Sequence, residues 1–183
     1  VGHMRAALAM VENIDWNVGR LMEKLDDLEI ADNTIVIYFS DNGPNGFRWN
    51  VDMKGRKGSV DEGGVRSPFF IRWSEKIEAG SKTDTISGGI DLKPTLLDLA
   101  GIRDTGTLPV DGVSLKPVLF GDAENWPDRL YINHFVGKTS VRSQRFRLGY
   151  QGGLFDIPND PRQRVDVRDQ FPKVCKELVA AGK

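Results

Sequence analysis

The sequence is poor in the residues that build disulfides and zinc sites. Its 183 residues include one cysteine, Cys175, and two histidines, His3 and His134. A single cysteine excludes a disulfide framework and any cysteine-rich metal site, and two histidines argue against a histidine-based zinc site. Any chemistry in this chain is therefore expected to depend on other side chains.

An excess of charge of one sign and a long apolar run are also missing. The chain has 25 Lys and Arg residues against 26 Asp and Glu residues, for a formal net charge of -1. A general nucleic-acid binder usually carries a strong basic excess, so no nucleic-acid partner is predicted. No apolar run approaches the roughly 20 residues of a membrane span. With 39% hydrophobic residues, the composition is that of a globular protein.

Helix and strand patterns alternate along the first hundred residues. Apolar residues recur every three or four positions over 7–28, which predicts an amphipathic helix. The continuous β-branched and aromatic run 34–39 is typical of a strand buried on both faces of a parallel sheet. A polar loop over 45–66 precedes a second strand pattern at 67–73, and a short helix is predicted over 91–101. This order predicts an α/β sandwich.

The remaining residues have the pattern of an antiparallel meander. Four short strands are predicted, at 129–135, 139–142, 146–151 and 153–157. A last amphipathic helix is predicted over 171–181. The sequence therefore divides into an α/β part over 1–110 and a small antiparallel sheet with a terminal helix over 111–183.

Asp41 and Asn42 come directly after the first predicted strand. Ligands of open α/β sheets gather beyond the carboxyl ends of the strands. A carboxylate and an amide oxygen at such a place suit a hard cation such as Ca²⁺ or Mg²⁺. The alternative is an ordinary Asx turn, because Asp-Asn-Gly is common in turns.

Basic residues and glycines fill the polar loop that follows. Lys54, Arg56 and Lys57 alternate with glycines that allow close backbone approach to a ligand. Cations beside a metal site favour binding of a substrate oxyanion, and a solvated basic loop is the alternative. Further along, Glu62 and Arg66 flank a glycine pair that we interpret as a strained turn shaped by an ion pair.

Five segments, taken in order, resemble the sulfatase family of the alkaline-phosphatase superfamily. They are 9–21, Ser40-Asp41-Asn42-Gly43, 55–68, 91–101 and 154–161. Each segment alone is moderately specific, and their order makes the resemblance strong. It implies an α/β fold, namely the C-terminal part of an alkaline-phosphatase-like sandwich followed by a small antiparallel β-sheet subdomain with a terminal helix.

The resemblance also implies a function and a set of site residues. The intact protein would hydrolyse sulfate esters of a small molecule or a glycan, with Asp41 and Asn42 as ligands of Ca²⁺ or Mg²⁺. Lys57 would be the catalytic lysine that binds a sulfate oxygen, and Arg48 and Asn50 would bind substrate in the same loop. A periplasmic or secreted location is implied as well.

The family's nucleophile motif, its early pair of metal-binding Asp residues and its catalytic histidines have no counterpart in this chain. The family's nucleophile is a formylglycine made within Cys/Ser-x-Pro-x-Arg, and that motif is absent here. The chain is therefore expected to be a C-terminal portion of a sulfatase that is inactive alone. Because its sheet would lack neighbouring strands, it is also expected to self-associate through an exposed sheet edge. Two alternatives stay open: a phosphodiesterase or phosphonate hydrolase of the same superfamily, and a non-catalytic anion-binding domain.

Overall fold

The structure, a computed structural model, describes residues 2–124 and 126–183, apart from the side chain of His3. The chain forms two compact units: Val1–Ser40 with Pro68–Ser81, and Asp41–Ser67 with Lys82–Lys183. The second unit holds every residue predicted for the site. The predicted boundary at residue 110 does not follow this division, because residues 41–67 group with the C-terminal residues. The predicted boundary at residue 110, as a domain boundary of the full-length protein, stays a prediction.

The first unit contains one long helix and a strand pair. Its elements are α1 (Gly2–Asp27), a 3₁₀ turn (Ala31–Asn33), β1 (Val36–Phe39) and β2 (Phe69–Arg72). The strands pair antiparallel, with Phe39 opposite Phe69 and Tyr38 opposite Phe70. Cross-strand aromatic pairs of this kind stabilise a two-stranded sheet, and both have ring centres about 6 Å apart, at 6.2 and 6.3 Å.

The expectation of a parallel strand buried on both faces is wrong for this chain. Within residues 2–124 and 126–183, the neighbour of β1 is β2, which runs antiparallel. Phe39 is 50% exposed and Phe70 is 64% exposed. The continuous apolar run identified the strand correctly, but a run of this kind does not specify the direction of the neighbouring strand or what covers its faces.

We expect the isolated chain to self-associate through this strand pair. Unpaired strand edges with aromatic side chains are templates for pairing with another copy. Light scattering of the isolated chain should report dimers or larger species, and Phe70→Lys should shift the distribution towards monomer because an edge charge opposes pairing. A concentrated, monodisperse monomer of the unmodified chain would contradict this expectation.

The second unit is built on the predicted meander. Its elements are α2 (Glu62–Val65), α3 (Leu92–Leu99), α4 (Lys116–Leu119), β3 (Tyr131–Phe135), β4 (Lys138–Arg142), β5 (Phe146–Leu148), β6 (Leu154–Asp156) and α5 (Pro172–Ala181). The four strands pair antiparallel in sequence order. Leu178 on α5 packs with Val141, Phe146, Leu148 and Leu154 in a buried apolar cluster. The predicted antiparallel sheet with a terminal helix is thus confirmed.

A buried carboxylate, Asp91, fixes the start of α3. Its oxygens accept hydrogen bonds from the backbone N–H groups of Gly88 and Val113, both at 2.9 Å. Arg129 donates to the same carboxylate at 2.7 Å, and the Tyr131 hydroxyl donates at 2.5 Å. Burial tends to raise the pKa of Asp91, but these four donors outweigh it and hold the pKa below its ordinary value.

The lowered pKa of Asp91 predicts a loss of stability in acid. The stabilisation is complete above the unfolded-state pKa of about 3.9 and is lost as the pH falls through the lower folded-state pKa. In the full-length protein, Asp91→Asn should cost about 3–5 kcal/mol at neutral pH because Arg129 loses its buried counterion. Denaturant unfolding between pH 7 and pH 3 should also show a flatter pH dependence for the variant.

Asp98→Asn is the matched control for this prediction. Asp98 accepts hydrogen bonds from Ser114 and Lys116, but it lies on the surface. Exposed ion pairs contribute about 0–1 kcal/mol, so this variant should unfold nearly as the unmodified protein does. Equal losses in the two variants would show that burial of Asp91 has no special effect.

Candidate functional site

The residues predicted for the site lie on one segment, residues 41–67, which we call the site loop. Its two ends are joined by a hydrogen bond from the Gly43 N–H to the Gly64 carbonyl at 2.9 Å. Near its middle, the Lys57 N–H donates to the Pro44 carbonyl at 3.0 Å. The Asp41-Asn42-Gly43 turn, the Lys57 segment and α2 are therefore held together by backbone contacts.

Glycines permit this close packing. A Cβ atom on Gly43 would lie 1.9 Å from the Gly63 carbonyl oxygen, and one on Gly64 would lie 2.3 Å from the Ser59 carbonyl oxygen. Both distances are impossible for a real side chain, so neither position accepts alanine without movement of the backbone. The predicted strained turn at Gly63 and Gly64 is wrong, because both residues lie in the helical turn α2 and neither has a positive φ.

The two predicted metal ligands occupy the start of the site loop. Asp41 is exposed and Asn42 is half-buried. A carboxylate and a side-chain amide offer hard oxygen donors, which fit Ca²⁺ or Mg²⁺ but amount to two of the six to eight ligands that Ca²⁺ takes. Among the described residues, no cluster of three or more His, Cys, Asp or Glu side chains has the geometry of a metal site. The role of Asp41 and Asn42 as ligands stays a prediction.

Lys57 differs from the neighbouring basic residues in its surroundings. Lys54 forms an ion pair with Asp61 at 3.5 Å, and the guanidinium of Arg56 lies 4.4 Å from the ring centre of Phe47. Lys57 is exposed, and within the described part of the chain its ammonium group has no hydrogen-bond or ion-pair partner. Its position therefore leaves its charge available to an anion.

The two predicted substrate-binding residues differ from each other. Arg48 is exposed on the site loop. The Asn50 side-chain nitrogen donates to the carbonyls of Met53 and Gly55, at 3.0 and 3.2 Å. The structure thus gives Asn50 a role in shaping the loop. Substrate binding by either residue stays a prediction.

A buried ion cluster, which sequence reasoning missed in part, anchors the site loop to the sheet. Glu62 is 3% exposed and forms ion pairs with Arg142 at 3.2 Å and Arg147 at 2.9 Å. Arg147 also donates to the Val60 carbonyl and the Ser140 hydroxyl, at 3.0 and 2.9 Å. Burial lowers the pKa of both arginines more than the Glu62 carboxylate raises it. The cluster therefore depends on its single carboxylate.

The other Glu62 contacts complete the support of the loop. The predicted pair with Arg66 is confirmed, with 3.7 Å between nitrogen and oxygen, although Arg66 is mostly exposed. The Glu62 N–H donates to the Gln163 side-chain oxygen at 2.9 Å. Gln163 lies about a hundred residues away, and no sequence pattern marks it. A signal did exist in β4 and β5, where charged residues occupy strand positions.

Comparison with known proteins extends this description. A family model described as Sulfatase matches residues 2–102, and one described as N-sulphoglucosamine sulphohydrolase, C-terminal, matches residues 56–179. The N-acetylglucosamine-6-O-sulfatase of Bacteroides thetaiotaomicron is 30% identical over 201 residues, covering 97% of this chain and 34% of the relative. Human steryl-sulfatase is 33% identical over 135 residues, covering 68% of this chain and 23% of the relative.

A solved structure shows the same fold. The crystal structure of Ps i-CgsB in complex with k-i-k-neocarrahexaose has a TM-score of 0.82 and 28% sequence identity, covering 94% of this chain and 40% of that chain. The present chain thus spans about a third of the length of these relatives, from 23% to 40%. Among the described residues, no helix is both long and apolar enough to cross a membrane.

Proposed function

Because this chain belongs to the sulfatase family, we propose that the full-length protein hydrolyses sulfate esters. The observation that carries the proposal is the site loop, where one backbone hydrogen bond holds the Lys57 segment against the turn that follows Asp41 and Asn42. An ammonium group on a segment joined by its backbone to the turn that follows two hard oxygen donors suits an anionic ester and a divalent cation.

Each site residue has a role in this proposal. Lys57 would donate a hydrogen bond to a sulfate oxygen and stabilise the charge that develops on the ester during cleavage. Asp41 and Asn42 would hold one side of a Ca²⁺ or Mg²⁺ ion. When bound, such an ion neutralises oxyanion charge and orients the substrate. The nucleophile, expected to be a formylglycine, would come from a part of the protein outside these 183 residues.

A sulfated glycan is the substrate class that we propose. One relative is named N-acetylglucosamine-6-O-sulfatase, and a protein of the same fold has been crystallised in complex with k-i-k-neocarrahexaose. The second candidate is a sulfated small molecule, which the resemblance to human steryl-sulfatase favours. A periplasmic or secreted location is part of the same proposal and follows from the family.

Competing esters test the proposed reaction. The full-length protein should release sulfate from a chromogenic aryl sulfate much faster than it releases phosphate from the matching aryl phosphate, phosphodiester or phosphonate ester. A preference for a phosphorus ester would support the alternative enzyme of the superfamily. Rates equal to buffer on all of these esters, with a cooperative thermal melt, would support a non-catalytic anion-binding domain.

The proposed metal site predicts weak binding by the isolated chain. Two protein ligands are too few for a tight Ca²⁺ site, so calorimetry of the isolated chain should give a dissociation constant no tighter than about 10⁻⁴ M. Asp41→Ala should abolish even this binding, and Asp52→Ala, an exposed carboxylate on the same loop, should not change it. Tight stoichiometric binding would show that the chain carries more of the ligand set than Asp41 and Asn42.

A further inference from the structure

A pocket lies beside the site loop, and we call it the hairpin pocket. Its volume is about 170 Å³. Its walls include Lys54 and Asp61 from the site loop, Tyr150 and Phe155 from the β5–β6 hairpin, and Asp166 with Arg168 beyond β6. Pockets for drug-sized ligands measure about 300–1,000 Å³, so this one has room for a single ring.

The aromatic wall of the hairpin pocket is formed by the close packing of the hairpin. A Cβ atom on Gly153 would lie 2.9 Å from the Phe155 ring, and one on Gly149 would lie 3.2 Å from it. Glycine at both positions lets the ring lie against the hairpin backbone. Tyr150 is partly exposed, and within the described residues its hydroxyl group has no hydrogen-bond partner. The Lys54 ammonium lies over the Phe155 ring, 5.5 Å from its centre. The pocket therefore combines aromatic surface, an adjacent cation and a free hydroxyl group.

The charges of the hairpin pocket are balanced. Lys54 lies 3.5 Å from Asp61, and the Arg168 Nε donates to Asp166 at 2.6 Å. Each pair places hydrogen-bond donors beside acceptors, which matches hydroxyl groups because every hydroxyl both donates and accepts. A second sulfate group would meet two carboxylates and no unpaired cation. The pocket therefore favours an uncharged polyhydroxylated ring.

The hairpin pocket is connected to Lys57 by contacts along the surface. Lys54 is three residues before Lys57 on the site loop. A Cβ atom on Gly58 would lie 3.8 Å from the Phe135 ring, and Phe135 is opposite Lys138 in the β3–β4 pairing. The Lys138 ammonium in turn lies 5.0 Å from the ring centre of Tyr150. The pocket and the proposed sulfate site are thus on adjoining parts of one surface.

We propose that the hairpin pocket binds an uncharged sugar ring next to the sulfated unit of a glycan substrate. This proposal rests on the proposed function, since it names the part of the substrate that extends beyond the sulfate ester. The aromatic surface of Tyr150 and Phe155 contacts the apolar C–H groups of the sugar ring, while Arg168 and Lys54 with their carboxylates bind its hydroxyl groups. A monocyclic aryl sulfate bound at Lys57 has no second ring with which to occupy this pocket.

Binding of an uncharged ligand tests the pocket without turnover. Saturation-transfer NMR of the full-length protein with N,N′-diacetylchitobiose and with neoagarobiose should detect binding of at least one of them. Arg168→Gln should weaken that binding roughly tenfold or more, the loss expected for one hydrogen bond to a charged group. Tyr150→Ala should also weaken it roughly tenfold, because it removes both an aromatic contact and a hydroxyl group. Arg145→Gln is the matched control, because Arg145 pairs with Asp156 at 2.7 Å and is as exposed as Arg168, at 52% against 50%.

Kinetics supply the second readout. On the 6-O-sulfated form of the bound disaccharide, Arg168→Gln should lower kcat/KM about tenfold through KM, while kcat/KM on an aryl sulfate stays unchanged. No binding of either uncharged disaccharide would overturn the proposal, as would equal losses in Arg168→Gln and Arg145→Gln. A protein that hydrolyses no sulfate ester but still binds the disaccharide through Arg168 would refute the proposed function and leave the sugar site in place.

Discussion

Replacing Lys57 by alanine in the full-length protein is expected to lower kcat on a chromogenic sulfate ester by about 10²–10³. That is the usual cost of removing one preorganised donor that stabilises an oxyanion. The melting temperature should not change, because the Lys57 side chain is exposed and makes no contact that supports the fold of the described residues. The measurement is kcat beside a thermal melt of the same variant.

Arg56→Ala is the control for the Lys57 prediction. Arg56 is an exposed cation one position earlier on the same loop, and it stacks on Phe47. If any positive charge on the loop were enough for catalysis, Lys57→Ala and Arg56→Ala would lower kcat by similar factors. Unchanged kcat in Lys57→Ala would mean that Lys57 is only a solvated loop residue. A collapsed melting temperature would assign it a structural role.

The second large effect is expected at Glu62. Glu62→Gln leaves Arg142 and Arg147 buried without their shared carboxylate, which should lower the free energy of unfolding by about 3–5 kcal/mol. Glutamine has nearly the same size as glutamate, so the lost free energy of unfolding measures the effect of the removed charge and not of a change in packing. Activity should fall as well, because Glu62 begins the helical turn that holds Gly43 through Gly64. Denaturant unfolding and kcat of the same protein measure both effects.

Arg66→Gln separates the buried part of this cluster from its exposed part. Arg66 pairs with the same carboxylate, but its side chain is 59% exposed. A surface pair contributes about 0–1 kcal/mol, so this variant should unfold almost as the unmodified protein does. A large loss in Arg66→Gln together with a small loss in Glu62→Gln would contradict the importance that we assign to the buried arginines.

Local patterns predicted the elements of the fold well. The apolar periodicity of α1 and the turn residues between the meander strands are short-range signals, and the structure contains the corresponding helix and strands. The pairing of β1 was predicted wrongly because strand direction is set by a segment about 30 residues away. The grouping of the site loop with the C-terminal sheet was missed for the same reason.

The sequence suggested candidate site residues only where the proposed chemistry is local. Asp41, Asn42 and Lys57 stand in short motifs that a reader of the sequence can recognise. Arg142, Arg147 and Gln163 contact Glu62 or its backbone from about 80 to 100 positions away, and no spacing rule relates them. The Asn50 side-chain nitrogen donates to two loop carbonyls, which the sequence did not predict, and its binding of substrate stays a prediction. Hydrogen bonds of this kind depend on the folded loop and leave no sequence pattern.

Calcium-dependent turnover of the full-length protein tests the central claim most directly. Sulfate-ester hydrolysis should vanish after chelation and return when Ca²⁺ or Mg²⁺ is added. Asp41→Ala should require much more metal to reach half of its maximal rate, or should show no rate at all. Sulfate-ester hydrolysis that survives chelation, or that has the same metal dependence in Asp41→Ala as in the unmodified protein, would contradict the assignment of the site loop as the metal- and sulfate-binding part of a sulfatase.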